Sequence, residues 1–160
     1  MNKKPLVTVL CLLALAAPLS SSLAADHSHH HHGAATPTLQ LNQGQKWATD
    51  APLRDGMSRI QAAMEPRLAE IHGNRLNRAG YAKLAAGLER EVGGIVAACK
   101  LAPEADAMLH LVLADLGAGI EAMAGKSKGG DPRRGAAKVL GALEDYGRYF
   151  DHPGWKPMAH

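Results

Sequence analysis

Cysteine is scarce in this 160-residue chain: Cys11 and Cys99 are the only two. Cys11 lies in an apolar stretch near the start, so a chain trimmed of that stretch keeps one thiol and cannot form an internal disulfide. Cys99 is left as a buried structural residue, an intermolecular crosslink or a reactive or metal-binding thiol. Long hydrophobic runs are also missing. Leu6 to Ala17 is apolar, but Pro18 and Ser20 to Ser22 interrupt it short of the roughly 20 residues that a bilayer requires. No stable membrane anchor is expected. Catalytic constellations are lacking too. Gly125-Lys126-Ser127 has its upstream Gly119 one residue too far away for a phosphate loop and follows a helix pattern rather than a strand. No serine, histidine and acid arrangement has a local signature, so the chain is not expected to be an enzyme.

What is present begins with an ordered leader. Lys3 and Lys4 precede the apolar stretch, and Ser22-Leu23-Ala24 puts small side chains where a signal peptidase needs them. Residues 1–24 therefore read as a secretory signal peptide, cleaved after Ala24, and the mature protein as periplasmic. Two of the 18 basic residues leave with it, so 16 basic face 15 acidic residues and charge of one sign is lacking as well. A nucleic-acid surface would need a marked basic excess. All nine histidines stay, five of them in the first eight mature residues.

The new terminus would read Ala25-Asp26-His27, followed by Ser28 and His29, His30, His31 and His32. A free amine, two amides able to deprotonate and the His27 imidazole supply four in-plane nitrogens, the square-planar set that copper(II) and nickel(II) favour. The four further histidines are imidazole ligands for zinc, copper or nickel. A purification tag is the bland alternative, but the run is short, broken from His27 by Ser28, and follows a natural leader.

Beyond a flexible arm over 25–50, four amphipathic segments predict an all-α, up-down-up-down four-helix bundle over 51–160. The first, 52–72, carries Leu53, Met57, Ile60, Met64, Leu68 and Ile71 at three- and four-residue spacings. Thr49-Asp50 are its capping candidates, Gly73 ends it, and Pro66 is expected to kink it. The second, 78–99, presents Tyr81, Leu84, Leu88, Val92, Ile95, Val96 and Cys99. The third starts at Pro103 and the fourth at Asp131-Pro132, where a proline suits the first helical turn. Short links favour antiparallel neighbours. Glycines 80, 87, 93, 94, 117 and 119 oppose helix formation by about 1 kcal/mol each and ask for close helix approach or room for a ligand.

That topology gathers Trp47, Met57, Cys99, Met108, His110, Tyr149, His152 and Trp155 at one end, beside the arm. Met57, Cys99 and His152 form a soft set suited to copper(I), with packing as the alternative for Met57 and a solvent-facing position for His110. The reading is a periplasmic metal-binding protein, with copper the expected cofactor and nickel or zinc as substitutes. An envelope interaction module remains open, docking through the basic loop of Lys126, Lys128, Arg133 and Arg134 or dimerising through Cys99. Haem carriage is the third reading.

The bundle, with a methionine early in its first helix and Tyr146 late in its fourth, resembles cytochrome b562. That family holds haem with such a methionine and a histidine directly after the helix-4 tyrosine. Here Gly147 follows Tyr146, and no Cys-x-x-Cys-His is present for covalent attachment, so the likeness implies fold without haem. Leu39-Gln40-Leu41-Asn42, Lys46-Trp47-Ala48-Thr49-Asp50, Leu53-Arg54-Asp55-Gly56-Met57, Cys99-Lys100-Leu101 and His152-Pro153-Gly154-Trp155 resemble a group of small proteobacterial periplasmic proteins known as DnrO-like. That resemblance implies export and a helical domain, and no reaction.

Overall fold

Helix starts follow local capping chemistry. The computed structural model describes residues 37–158 and is all-α. The Asp50 carboxylate accepts from the Leu53 amide at 3.0 Å and opens α1 (Ala51–Met64). Asn77 does the same for Gly80 at 2.8 Å and opens α3 (Arg78–Ala98). Proline sits in the first turn of α4 (Pro103–Met123) and of α5 (Pro132–Tyr149), the latter capped by Asp131. The segment expected as one kinked helix over 52–72 is broken more sharply. A 3-10 turn, Glu65–Arg67, contains Pro66 and separates α1 from the short α2 (Leu68–His72), because proline removes an amide donor and crowds the preceding turn.

α4 packs most extensively on α5, α1 on α3, and α3 on α4. Position 56 in α1 meets Ile95 in α3, and Arg59, one turn further along α1, pairs with Glu91, one turn back along α3. In α4 and α5, Gly119 and Gly135 abut: a Cβ on either would lie 2.6–2.7 Å from the other's carbonyl oxygen. Of the helical glycines expected to mark close approach or a ligand, Gly119 marks close approach. Gly87, Gly93, Gly94 and Gly117 have open space where a Cβ would stand.

Leu53, Met57, Ile60 and Met64 of α1 are fully buried, with Leu88 and Ile95 of α3, Leu109, Leu116 and Met123 of α4, and Leu143 and Tyr146 of α5. Each large apolar side chain contributes about 1.5–3 kcal/mol by leaving water. Val96 departs from the expected stripe and is 65 % exposed, because among the described residues no element covers its side of α3. Among the described residues, no helix is long and apolar enough to cross a membrane.

The part of the expected arm within 37–50 is irregular but pinned. Asn42 and Gln45 close a two-residue turn with paired backbone bonds of 2.8 Å, using positive φ at Gln43 and Gly44. Trp47 then runs parallel to Phe150: its amide donates to the Tyr149 carbonyl and its carbonyl accepts from the Asp151 amide, both at 2.8 Å. Lys46 Nζ adds a bond to the Gly147 carbonyl at 2.6 Å. Entry and exit of the domain are thereby clamped together.

Candidate functional site

The segment after α5 turns back sharply. His152-Pro153-Gly154-Trp155 is a β-turn closed by the Trp155 amide donating to the His152 carbonyl at 3.0 Å, with Gly154 at φ +84°. Proline second and a positive-φ glycine third is the type II pattern. Its two ends carry the His152 and Trp155 rings, whose centroids lie 5.1 Å apart. Beneath them sits Tyr146, fully buried, edge-on to Trp155 at 4.9 Å and stacked on Phe150 at 5.4 Å. Gly147 leaves room for the indole: a Cβ there would come 2.4 Å from Trp155 Nε1.

His152 is engaged on Nδ1 and only marginally approached on Nε2. Nδ1 lies 3.0 Å from the Tyr146 hydroxyl, and Nε2 has Ser58 Oγ at 3.5 Å, the outer limit of a hydrogen bond. Burial, reinforced by the Arg54 charge, lowers the imidazole pKa against the opposing pull of Asp55 and Asp151. The ring is therefore neutral at neutral pH. Burial also drives the Tyr146 hydroxyl well above its ordinary value, so it stays protonated. Around the turn opens a cleft of about 420 Å³, lined by Lys46, Gln61, Arg148, His152, Trp155 and Met158 among others. Gln61 donates to the Lys156 carbonyl at 2.6 Å and ties the returning segment to α1.

Cys99 caps the end of α3 and is half-buried. Burial, then the charge of Asp50 and a hydrogen bond to it, push its thiol up to about 12. Burial alone would raise Asp50 as well, but donated bonds from the Lys100 and Leu53 amides and the Cys99 thiol outweigh it and hold the carboxyl below its usual value. The Lys100 bond is 2.6 Å long, so one carboxylate joins the start of α1 to the end of α3. A thiol held protonated is a poor nucleophile, and native Cys99 is expected to alkylate with iodoacetamide at pH 8 far more slowly than in urea. Equal rates would contradict the Asp50 contact. The sign with pH follows: the folded pKa is raised, so this stabilisation is complete below the ordinary thiol value near 9. It is lost as pH rises toward about 12. Thermal melts from pH 8 to 11 are expected to fall more steeply for the native chain than for Cys99→Ser.

The expected site residues are thus distributed. Ala25, Asp26, His27, His29, His30, His31 and His32 lie outside the described residues, as does the stretch 1–24 expected to be a leader. Met57 is fully buried in the core, and Met108 belongs to the same buried cluster. Cys99 shares a recess of about 70 Å³ with Asp106 and His110, and His110, mostly exposed, has Nδ1 2.9 Å from the Asp106 carbonyl oxygen. His152 and Trp155 belong to the turn. Among the described residues no three His, Cys, Asp or Glu side chains converge as a metal site. In the basic loop Lys126 pairs with Glu89 at 3.1 Å, and Arg134 lies 3.9 Å from Asp131.

Ser58, Gln61, Lys46 and Met158 were not singled out from sequence. Pro153-Gly154 was the available signal for the turn that organises them. No family model, curated protein or solved structure matches this chain.

Proposed function

We propose that this is an exported, periplasmic metal-binding protein that captures copper(II) at its mature amino terminus, with nickel or zinc as weaker substitutes. The observation that carries the reading is the placement of five of nine histidines in the eight residues after a cleavable leader, one of them third from the new amine. Ala25, Asp26 and His27 provide the planar nitrogen set, and His29 to His32 extend it. The domain behind them is proposed as an up-down-up-down four-helix bundle. The short links and the pairing of position 56 with Ile95 and of Gly119 with Gly135 support that arrangement.

Met57 and Cys99 contribute little to capture on this reading. Met57 has no exposed surface, and the Cys99 thiol is protonated and committed to Asp50; a metal would have to displace both proton and carboxylate. Calorimetric copper(II) titration of the processed chain is expected to show one tight site that His27→Ala weakens by at least about tenfold, or about 1.4 kcal/mol. Micromolar or weaker binding, indifferent to His27 and to the histidine run, overturns the reading.

A further inference from the structure

The C-terminal turn places an imidazole, an indole and a thioether on the wall of one cleft, at residues 152, 155 and 158. We propose that His152, Trp155 and Met158 form a second metal site, specific for a soft monovalent ion, copper(I) or silver(I). The proposal takes only the identity of the metal from the copper reading of the amino terminus.

Three features of the cleft support it. First, His152 is oriented as a ligand is. The buried Tyr146 hydroxyl engages Nδ1 at 3.0 Å, while Nε2 has only the marginal 3.5 Å approach of Ser58 Oγ. Metal-binding imidazoles hold their second nitrogen in this way, which fixes the ring direction, and the tautomer whose Nδ1–H is donated to the Tyr146 oxygen leaves the Nε2 lone pair for a metal. Second, the indole is built into place. It lies 5.1 Å from the imidazole, meets Tyr146 edge-on, and occupies space that any side chain at Gly147 would fill. An aromatic face attracts a partly dehydrated cation held within about 6 Å of its centroid.

Third, Met158 supplies sulfur, and thioether with imidazole selects copper(I) over hard dications and over square-planar copper(II), which prefers four nitrogen or oxygen donors. The surrounding charge bears on selectivity alone: two cationic side chains against one carboxylate, Glu144, oppose any metal ion, and a dication more than a monovalent one. Lys46 and Arg148 also line the cleft; Lys46 Nζ is held by the Gly147 carbonyl, and Arg148 lies 3.7 Å from Asp145. This donor set is distinct from Cys99 and Met57. It draws on the final turn of the chain and on the α5 face that carries Gly147.

Silver(I), which is redox-inert here, tests the site. The full processed chain carries alanine at His27 and at His29 to His32 to silence the amino terminus. It also carries Cys99→Ser to remove the thiol and Trp47→Phe so that fluorescence reports Trp155 alone. One equivalent of silver(I) is expected to quench that fluorescence. His152→Ala and, separately, Met158→Leu are each expected to weaken the binding by at least about tenfold. Met158→Leu preserves size and apolarity, so it reads sulfur ligation without unfolding the turn, which far-UV circular dichroism checks. Unchanged binding in Met158→Leu overturns the site, as does an absence of quenching in the parent. Copper(II) capture that depends on His27 without silver binding in the cleft sinks this site alone; the opposite result sinks the capture reading alone.

Discussion

Replacing Tyr146 by alanine is expected to destabilise the domain by about 3–5 kcal/mol, the cost of emptying a buried aromatic position. Tyr146 has no exposed surface and touches three other rings, Phe150, His152 and Trp155. Removing it leaves a cavity and deprives His152 Nδ1 of its 3.0 Å partner. Against the 5–15 kcal/mol total that domains typically possess, this is a large fraction. Tyr146→Phe separates the two contributions: it keeps the ring contacts and loses about 1 kcal/mol for the hydrogen bond, more if the imidazole cannot find water. Urea midpoints at pH 7 check both. A Tyr146→Ala loss below about 1 kcal/mol would mean that the turn does not rest on Tyr146 in solution.

The second large effect is at the contact of α4 with α5. Gly135→Val is expected to destabilise by about 3 kcal/mol, the upper end of overpacking penalties. A Cβ at Gly135 would come 2.6 Å from the Gly119 carbonyl oxygen and 2.8 Å from the Met123 amide nitrogen. Those atoms belong to the backbone and cannot rotate aside, so the helices must separate. Gly94→Ala has the opposite sign. Gly94 is exposed with nothing near its missing Cβ, and alanine there is expected to stabilise by about 0.5–1 kcal/mol through helix propensity and a less entropic unfolded chain. Thermal denaturation of the two variants side by side decides the point; changes of the same sign would place the close approach elsewhere.

Helix starts were legible because capping is a local event. Asp50, Pro103 and Asp131-Pro132 carry their signals within one turn of the helices they open, and Pro66 interrupts its helix for a reason confined to its own ring. Burial was less legible. Val96 shares the periodicity of Ile95 and Leu88 yet stands in solvent, whereas Met108, one position before the buried Leu109, is covered as well. Periodicity states which residues share a face; it does not state which faces acquire neighbours. The glycines show the same limit. Gly119 and Gly94 are equally unfavourable in an isolated helix, and only a partner helix distinguishes them.

The candidate sites divide along the same line. By itself the sequence determines the histidine-rich stretch over 27–32, the Pro-Gly turn and the positions of the helices, because each rests on residues within a few positions of one another. Only the tertiary structure decides that Lys46 reaches the Gly147 carbonyl, that Asp50 restrains the Cys99 thiol, and that Gly147 yields its space to Trp155. The first two contacts join chain segments 101 and about 50 residues apart. The third joins residues eight positions apart, yet it needs the turn after α5 to fold back over that helix. A local pattern specifies each partner's geometry and leaves open which partner it will meet; the packing of the hydrophobic faces makes that choice.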